Sequence, residues 1–277
     1  MSSEPLSRPS PSVPPAPADG RRVLVTGGAR RLGAAICRAF ARAGWEVLCH
    51  YGQSREEALA LCAELRAAGH RAHALPGDLG SEAGREALMA VACADGPLQA
   101  LVNNASSFEP DDALDFDTQT AARQLELNLL APLSLARLLL RGRPATAVRP
   151  CVIHVLDQKV YNLNPDYFSY TLSKLALERA VALQAQALAP QARVCGVAPG
   201  LMFLSGPQTP ENFARASRAN LLREPIDPAA VAEGCVFLAA NPAITGTTLS
   251  IDCGQHLVPT PRDILFVVDE LLKDPKA

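Results

Sequence analysis

Tyr170 and Lys174 stand four residues apart in the segment Tyr170-Thr-Leu-Ser-Lys174. On a helix that spacing puts a phenol and an ammonium on one face. A cation beside a phenol favours the phenolate and lowers its pKa from ~10, which makes the tyrosine an acid or base usable nearer neutral pH. The same pair also occurs on ordinary helix surfaces, so its meaning depends on what the fold brings to it.

A second set of residues has the chemistry to hold a phosphate-bearing ligand. The apolar run Arg22-Val-Leu-Val-Thr26 leads into Gly27-Gly28-Ala29-Arg30-Arg31-Leu32-Gly33. Glycines there permit a tight turn and a close approach of diphosphate to backbone N–H groups, and the helix that follows presents its positive end to the anion. The end of the next apolar run reads Cys49-His50-Tyr51-Gly52-Gln53-Ser54-Arg55 and lacks the acid that would bind an unphosphorylated ribose. Ser54, Arg55, His50, Arg30 and Arg31 have the chemistry to hold a 2′-phosphate instead, which favours NADPH/NADP+. Asp78, beside Leu79, is placed to accept from an adenine amino group, and Asn103 and Asn104 to brace the sheet edge. Each has a plain alternative as a cap or loop residue; their order at successive strand ends is what counts, because ligands of open α/β sheets bind there.

These residues need a scaffold, and the chain supplies one. Strands are expected at Arg22–Thr26, Glu46–Tyr51, Arg71–Leu75, Leu98–Val102, Cys151–Leu156, Arg193–Ala198 and Thr248–Ile251. Helices are expected at Arg31–Ala43, Ser54–Ala68 (opening on a Ser54/Glu57 capping box), Ser81–Ala94, Thr118–Arg141, Ser169–Leu188 and Pro228–Ala240. The strands are apolar throughout and alternate with helices, the pattern of a parallel sheet covered on both faces. The expected fold class is α/β: one doubly wound Rossmann domain over residues 20–277, with a mostly parallel seven-stranded sheet. The Gly/Pro-rich stretch 200–225 reads as a substrate loop. Residues 1–19 contain six prolines and read as a disordered tail.

Composition narrows the class. The net charge is −2 and the Lys and Arg are scattered, so no basic patch points to nucleic acid or an anionic membrane. No stretch approaches the ~20 apolar residues of a membrane span, and a small-molecule substrate is the better default. The eight cysteines are irregularly spaced without a Cys-x-x-Cys pair, so they read as buried thiols in a cytoplasmic protein, and no cluster has metal-ligand spacing.

Taken in order, Thr26-Gly27 to Gly33, Asp78, Asn103-Asn104-Ala105, Asn128, Tyr170 with Lys174, and Pro199-Gly200 resemble the short-chain dehydrogenase/reductase family over about Arg21 to Leu257. Two departures resemble its pteridine reductase branch: Arg31 where the middle glycine is commonest, and Asp157 where the family usually has serine. Asn103-Asn104-Ala105-Ser106-Ser107-Phe108 also looks like that branch. The resemblance implies a cofactor site at Gly27, Arg30, Arg31, Leu32, Gly33, His50, Tyr51, Ser54, Arg55, Asp78, Leu79, Asn104, Ala105, Ser106, Pro199 and Gly200. It implies a pterin site at Arg31, Ser106, Phe108, Asp157 and Tyr170, with the Phe108 ring stacking on the pterin. It further implies catalysis by Asp157, Tyr170, Lys174 and Asn128. Lys174 would depress the pKa of Tyr170, Tyr170 with Asp157 would deliver a proton, and Asn128 would hold a water. The chain has Gly52-Gln53-Ser54 where the branch often has His-Arg-Ser, which weakens one phosphate contact. A homotetramer built on the two long helices is also implied. A ketone reductase of the same family and a catalytically silent nucleotide-binding regulator are the alternatives. The run from Asp157 to Ser169 carries no assignment, and the apolar stretch Asp263–Leu272 reads as a helix that packs on a neighbouring subunit or caps the core.

Overall fold

The computed structural model describes residues 20–141, 143, 148–204, 206 and 208–271. The tail expected at 1–19 lies outside them. Seven strands form one sheet: β1 (Arg22–Val25), β2 (Glu46–Tyr51), β3 (Ala72–Pro76), β4 (Ala100–Asn103), β5 (Cys151–Val155), β6 (Arg193–Pro199) and β7 (Thr248–Ile251). Their order is β3-β2-β1-β4-β5-β6-β7, and every neighbouring pair is parallel. The helices are α1 (Arg31–Arg42), α2 (Arg55–Ala67), α3 (Glu82–Ala92), α4 (Thr118–Leu125), α5 (Ala131–Leu140), α6 (Phe168–Leu188), α7 (Pro210–Ala216), α8 (Pro228–Ala240) and α9 (Ile264–Leu271).

Alternation along the strands explains the two layers. Val23 and Val25 point to one face and join α1, α2 and α8 through Phe40, Leu61 and Leu238. Leu24, between them, points to the other face and meets α3, α5 and α6 through Leu88, Leu135 and Ala185. The strand order reverses beside β1, where β4 pairs with its other edge. At such a switch point the loops after the strands splay apart and leave a crevice.

Three local features depart from the sequence expectation, and a fourth decides between two readings of it. The helix expected over Thr118–Arg141 is broken by a π-helical turn at Glu126–Leu130. Pro132 follows; it has no N–H to give the Asn128 carbonyl, and its ring crowds that carbonyl, so the helix widens. The Ser54/Glu57 capping box does not form. Ser54 flanks α2 with ψ 58 and makes no side-chain cap bond, while Glu57 pairs with Arg30 at 3.3 Å. The stretch 200–225 contains α7, capped by Thr209 with a proline in its first turn, a start signal present in Thr209-Pro210. Lastly, α9 caps its own chain: Ile264, Val267 and Val268 pack with Ala216 and Ala219.

Candidate active site

The phenol of Tyr170 is brought to the end of β5 by the first turn of α6. Its hydroxyl donates to Asp157 Oδ2 at 2.9 Å, and Asp157 Oδ1 accepts from the Lys159 backbone N–H at 2.9 Å. Lys174, one turn along α6, donates to the Val155 carbonyl at 2.8 Å, and its ammonium lies 5.7 Å from the Tyr170 ring centroid. Tyr170 and Lys174 are both buried.

Burial governs the protonation of all three. It raises the Asp157 carboxyl, against the pull of the Lys159 N–H, the Lys159 and Lys174 charges and the Tyr170 bond. Burial raises the Tyr170 phenol well above its ordinary 10, and the Asp157 charge and hydrogen bond push the same way. Lys174 is lowered to about 8 by burial, opposed by Asp157. The expected depression of the Tyr170 pKa by Lys174 is therefore corrected. The ammonium is aimed at a carbonyl, while a carboxylate occupies the phenol, so Tyr170 is held as a neutral acid.

Asn128 sits in the π-helical turn, fully buried. Its amide donates to Ser107 O (2.9 Å) and Ser173 Oγ (3.0 Å), and its Oδ1 accepts from Ser107 N (2.8 Å) and Ser106 Oγ (3.1 Å). Those four bonds use its amide capacity, so the side chain fixes the 106–108 segment rather than holding a water. Phe108 is thereby set against Tyr170 in a T-shaped contact at 4.7 Å. It also stacks on Tyr167, with centroids 4.1 Å apart.

The glycine-rich turn is pinned from both sides. Gly27, at φ +59, donates from N to His50 Nδ1 at 3.1 Å, and His50 Nε2 meets the Gly77 carbonyl at 3.2 Å. The Asn104 amide donates to the Thr26 and Gly27 carbonyls at 2.9 and 3.1 Å. Where the sequence suggests a phosphate ligand at His50, both its nitrogens are committed to backbone and burial lowers its pKa, so it acts as a neutral strut. Arg30 is tied to Glu57. Arg31, in left-handed backbone at φ 51, donates to Leu204 O at 2.5 Å and lies 5.2 Å from the Phe203 ring. Asp78 accepts from Gly80 N and Ser81 Oγ, bonds that hold its carboxyl below the usual range.

These groups share one cleft of about 1400 Å³ above the strand ends. On its wall lie Gly27, Arg30, Arg31, Leu32 and Gly33 from the first turn, and His50, Tyr51 and Ser54 after β2. Asp78 and Leu79 follow, then Asn104, Ala105, Ser106 and Phe108. Asp157, Tyr170, Lys174, Pro199 and Gly200 complete the sequence-derived set. Arg55 and Asn128 are not on the wall: Arg55 begins α2, with Gln53 and Ser54 nearer the cleft, and Asn128 lies behind the 106–108 segment. Met202 and Phe203 of the expected substrate loop also line the cleft, as do residues to which the sequence assigns no role: Gln158, Lys159, Glu126, and Asp263 to Leu265. The last three come from far along the chain, and no local motif marks them.

The cleft fits a dinucleotide. A β-carbon at Gly33 would collide with the Gly27 carbonyl and the Asn104 amide, and one at Gly28 with the Cys37 and Cys49 sulfurs. Backbone thus packs as closely as glycine allows beside the start of α1. That helix has no side-chain cap bond and no acid in its first turn, so its N–H groups and dipole are left for an anion. Among the described residues, no group of three or more His, Cys, Asp or Glu is arranged to hold a metal, and no helix is long and apolar enough to cross a membrane.

Comparison with known proteins agrees with this architecture. The family model described as enoyl-(acyl carrier protein) reductase matches residues 27–256. The crystal structure of the alternative dihydrofolate reductase FolM from Brucella suis, in complex with NADP, superposes with a TM-score of 0.82 at 37% identity, covering 87% of this chain and 97% of that one. Pteridine reductase 1 of Leishmania tarentolae is 29% identical, over 84% of this chain and 96% of its own. The angucycline C-6 ketoreductase LanV with bound NADP has a TM-score of 0.78 at 26% identity, covering 86% and 96% of the two chains.

Proposed function

The chain belongs to the short-chain dehydrogenase/reductase family, as an NADP-dependent oxidoreductase, and on that footing we propose that its acceptor is a pteridine, reduced from the dihydro to the tetrahydro form. The observation that carries this reading is the Asp157–Tyr170 hydrogen bond beside Phe108. A carboxyl next to the phenol suits an acceptor that presents ring N–H and amino donors, and an aromatic side chain suits a flat heterocycle. Similarity to FolM and to a pteridine reductase supports the same acceptor.

Bound NADPH supplies the hydride, which goes to the carbon of a C=N bond. The chain supplies the proton for the nitrogen. Tyr170 donates its hydroxyl proton, and a proton taken from solvent and relayed through the Asp157 carboxylate, which accepts from that hydroxyl, restores the phenol. Lys174 places a buried cation beside the pair. The glycine-rich turn and the start of α1 would hold the diphosphate, and Gln53 and Ser54, which line the cleft after β2, would hold the 2′-phosphate. A water on the proton path belongs on the Asn128 carbonyl, whose regular helical donor is missing at Pro132, since the amide is saturated. The leucines exposed at Leu125 of α4, Leu130 of the π-helical turn, and Leu172 and Leu183 of α6 support a homotetramer built on the helical span 118–141 and α6. Eight free thiols fit a cytoplasmic setting.

The second reading is a ketone reductase, favoured by the likeness to LanV. The test is NADPH consumption with dihydrobiopterin against a panel of ketones. The pteridine reading expects kcat/KM for dihydrobiopterin to exceed that of any ketone; turnover of ketones alone would overturn it.

A further inference from the structure

The segment between Asp157 and Tyr170 and the chain beyond β7 are knotted together beside the cleft. The carboxylate of Asp166, 9% exposed, accepts from Arg262 Nε at 2.8 Å and Nη2 at 2.6 Å, and from the Asp263 backbone N–H at 2.6 Å. Lys159, 3% exposed, donates to Asn164 Oδ1 (2.8 Å), the Asp166 carbonyl (3.0 Å) and Asp263 Oδ2 (3.1 Å). On the opposite side, Asn212 of α7 donates to the Leu265 carbonyl at 2.9 Å, and the apolar side of α9 packs with Ala216 and Ala219. The span 262–268 therefore bridges the segment after β5 and the segment after β6. Between the two anchors, Asp263, Ile264 and Leu265 face the cleft.

The knot also reaches Phe108. Asp166 is followed by Tyr167, a bulky residue in the left-handed region at φ 55, ψ 54. Such a conformation persists only where surrounding contacts over-determine it. Here the clamp on Asp166 holds the preceding residue, and the Lys159 ammonium lies 5.2 Å from the Tyr167 ring centroid. The ring, 4% exposed, stacks on Phe108. Phe108 lines the cleft and Tyr167 does not, so Tyr167 is a backing plate for the aromatic wall. Arg262 is half exposed, with its side chain at 52%, so the Asp166–Arg262 pair adds little as a charge pair in water. What its two-pronged geometry fixes is position.

We infer that residues 263–265 form the outer wall at the acceptor end of the cleft, and that Asp166 and Arg262 are specificity-determining positioning residues, which hold that wall and the Tyr167–Phe108 stack at a spacing selective for a flat ring over an open-chain carbonyl. The ring class rests on the pteridine reading; the role of the clamp does not.

The experiment compares the wild type with Arg262→Gln, Arg262→Lys and Asp166→Asn. The acceptors are dihydrobiopterin, α-tetralone as a flat bicyclic ketone, and an open-chain methyl ketone. With NADPH saturating, Arg262→Gln is expected to raise KM for the ring acceptors about 10-fold with kcat within about 3-fold, the pattern of lost positioning outside the reacting atoms. KM for NADPH and kcat/KM for the open-chain ketone stay within about 2-fold, and Arg262→Lys lies between wild type and Arg262→Gln. Equal losses on ring and open-chain acceptors, or no change in Arg262→Gln, overturn the inference. If Asp166→Asn does not fold, Arg262→Gln, at a half-exposed site, carries the test alone. If the wild type reduces α-tetralone and not dihydrobiopterin, the pteridine reading falls, and the ring-against-chain contrast in Arg262→Gln still decides the role of the wall. Turnover of the open-chain ketone alone overturns both.

Discussion

The hydroxyl of Tyr170 donates to the carboxylate of Asp157 across 2.9 Å, thirteen residues apart in sequence and at the junction of a strand end and a helix start. Burial raises both groups, and the carboxylate raises the phenol further. A proton is thereby kept on the pair at neutral pH, which is the condition an acid catalyst needs.

Removing the phenol oxygen should end proton delivery without disturbing the nucleotide site. Tyr170→Phe is expected to lower kcat at least ~10²-fold, with NADPH affinity nearly unchanged in a fluorescence titration. Asp157→Asn keeps an acceptor for the phenol but cannot pass on a proton, and should cost about 10-fold or more. Full activity in Tyr170→Phe would remove Tyr170 from the mechanism.

The rate should carry the signature of Lys174. Its pKa is lowered to about 8, so it is a cation below that pH and neutral above it. Reduction consumes a proton and needs the acid forms. The expected profile of kcat/KM for the acceptor is level below about pH 8 and falls by up to tenfold per unit above it. A profile still level two units higher would show that the charge on Lys174 is not required.

A separate buried group should set stability in mild acid. His154 meets Asn103 Nδ2 at 3.2 Å and Gln184 Oε1 at 2.8 Å, and burial lowers its pKa from 6.5 to about 4. Between those values the unfolded chain takes up a proton that the folded chain refuses. Its contribution is therefore fully present above 6.5 and is lost as pH falls toward 4, amounting to about 3 kcal/mol. His154→Gln removes this titration, so its urea midpoint should depend less on pH over that window. Identical slopes in the two proteins would refute the assignment.

Gly33 tests the nucleotide cradle. A methyl there would overlap the Gly27 carbonyl and the Asn104 amide, forcing the turn away from the start of α1. Gly33→Ala is expected to weaken NADPH binding at least ~10-fold, since a turn held open presents its N–H groups out of reach of the diphosphate. An unchanged Kd would mean that the turn does not carry the diphosphate.

Much of this was legible in the chain itself. Apolar runs such as Val23, Leu24 and Val25, and Cys151, Val152 and Ile153, alternate with helical patterns, which sets a parallel sheet with helices on both faces. The glycine turn after β1 and the Tyr170/Lys174 spacing are short-range features, and short-range geometry follows from backbone sterics and the 3.6-residue period. The sequence also contained the cause of the π-helical turn in Pro132, although the widened turn itself appears only when the helix is packed.

Tertiary structure decided what depends on distance between remote residues. His50 looked like a phosphate ligand because of its place at a strand end; packing turned both its nitrogens onto backbone. The i, i+4 spacing alone predicts that Lys174 lowers the pKa of Tyr170; burial and the nearby Asp157 carboxylate instead raise it, because desolvation depends on the whole surrounding shell. The clasp of Arg262 and Asp263 on Asp166 joins segments 96 residues apart. No periodicity encodes such a meeting: it exists only once the sheet has brought the ends of β5 and β7 to the same edge of the cleft.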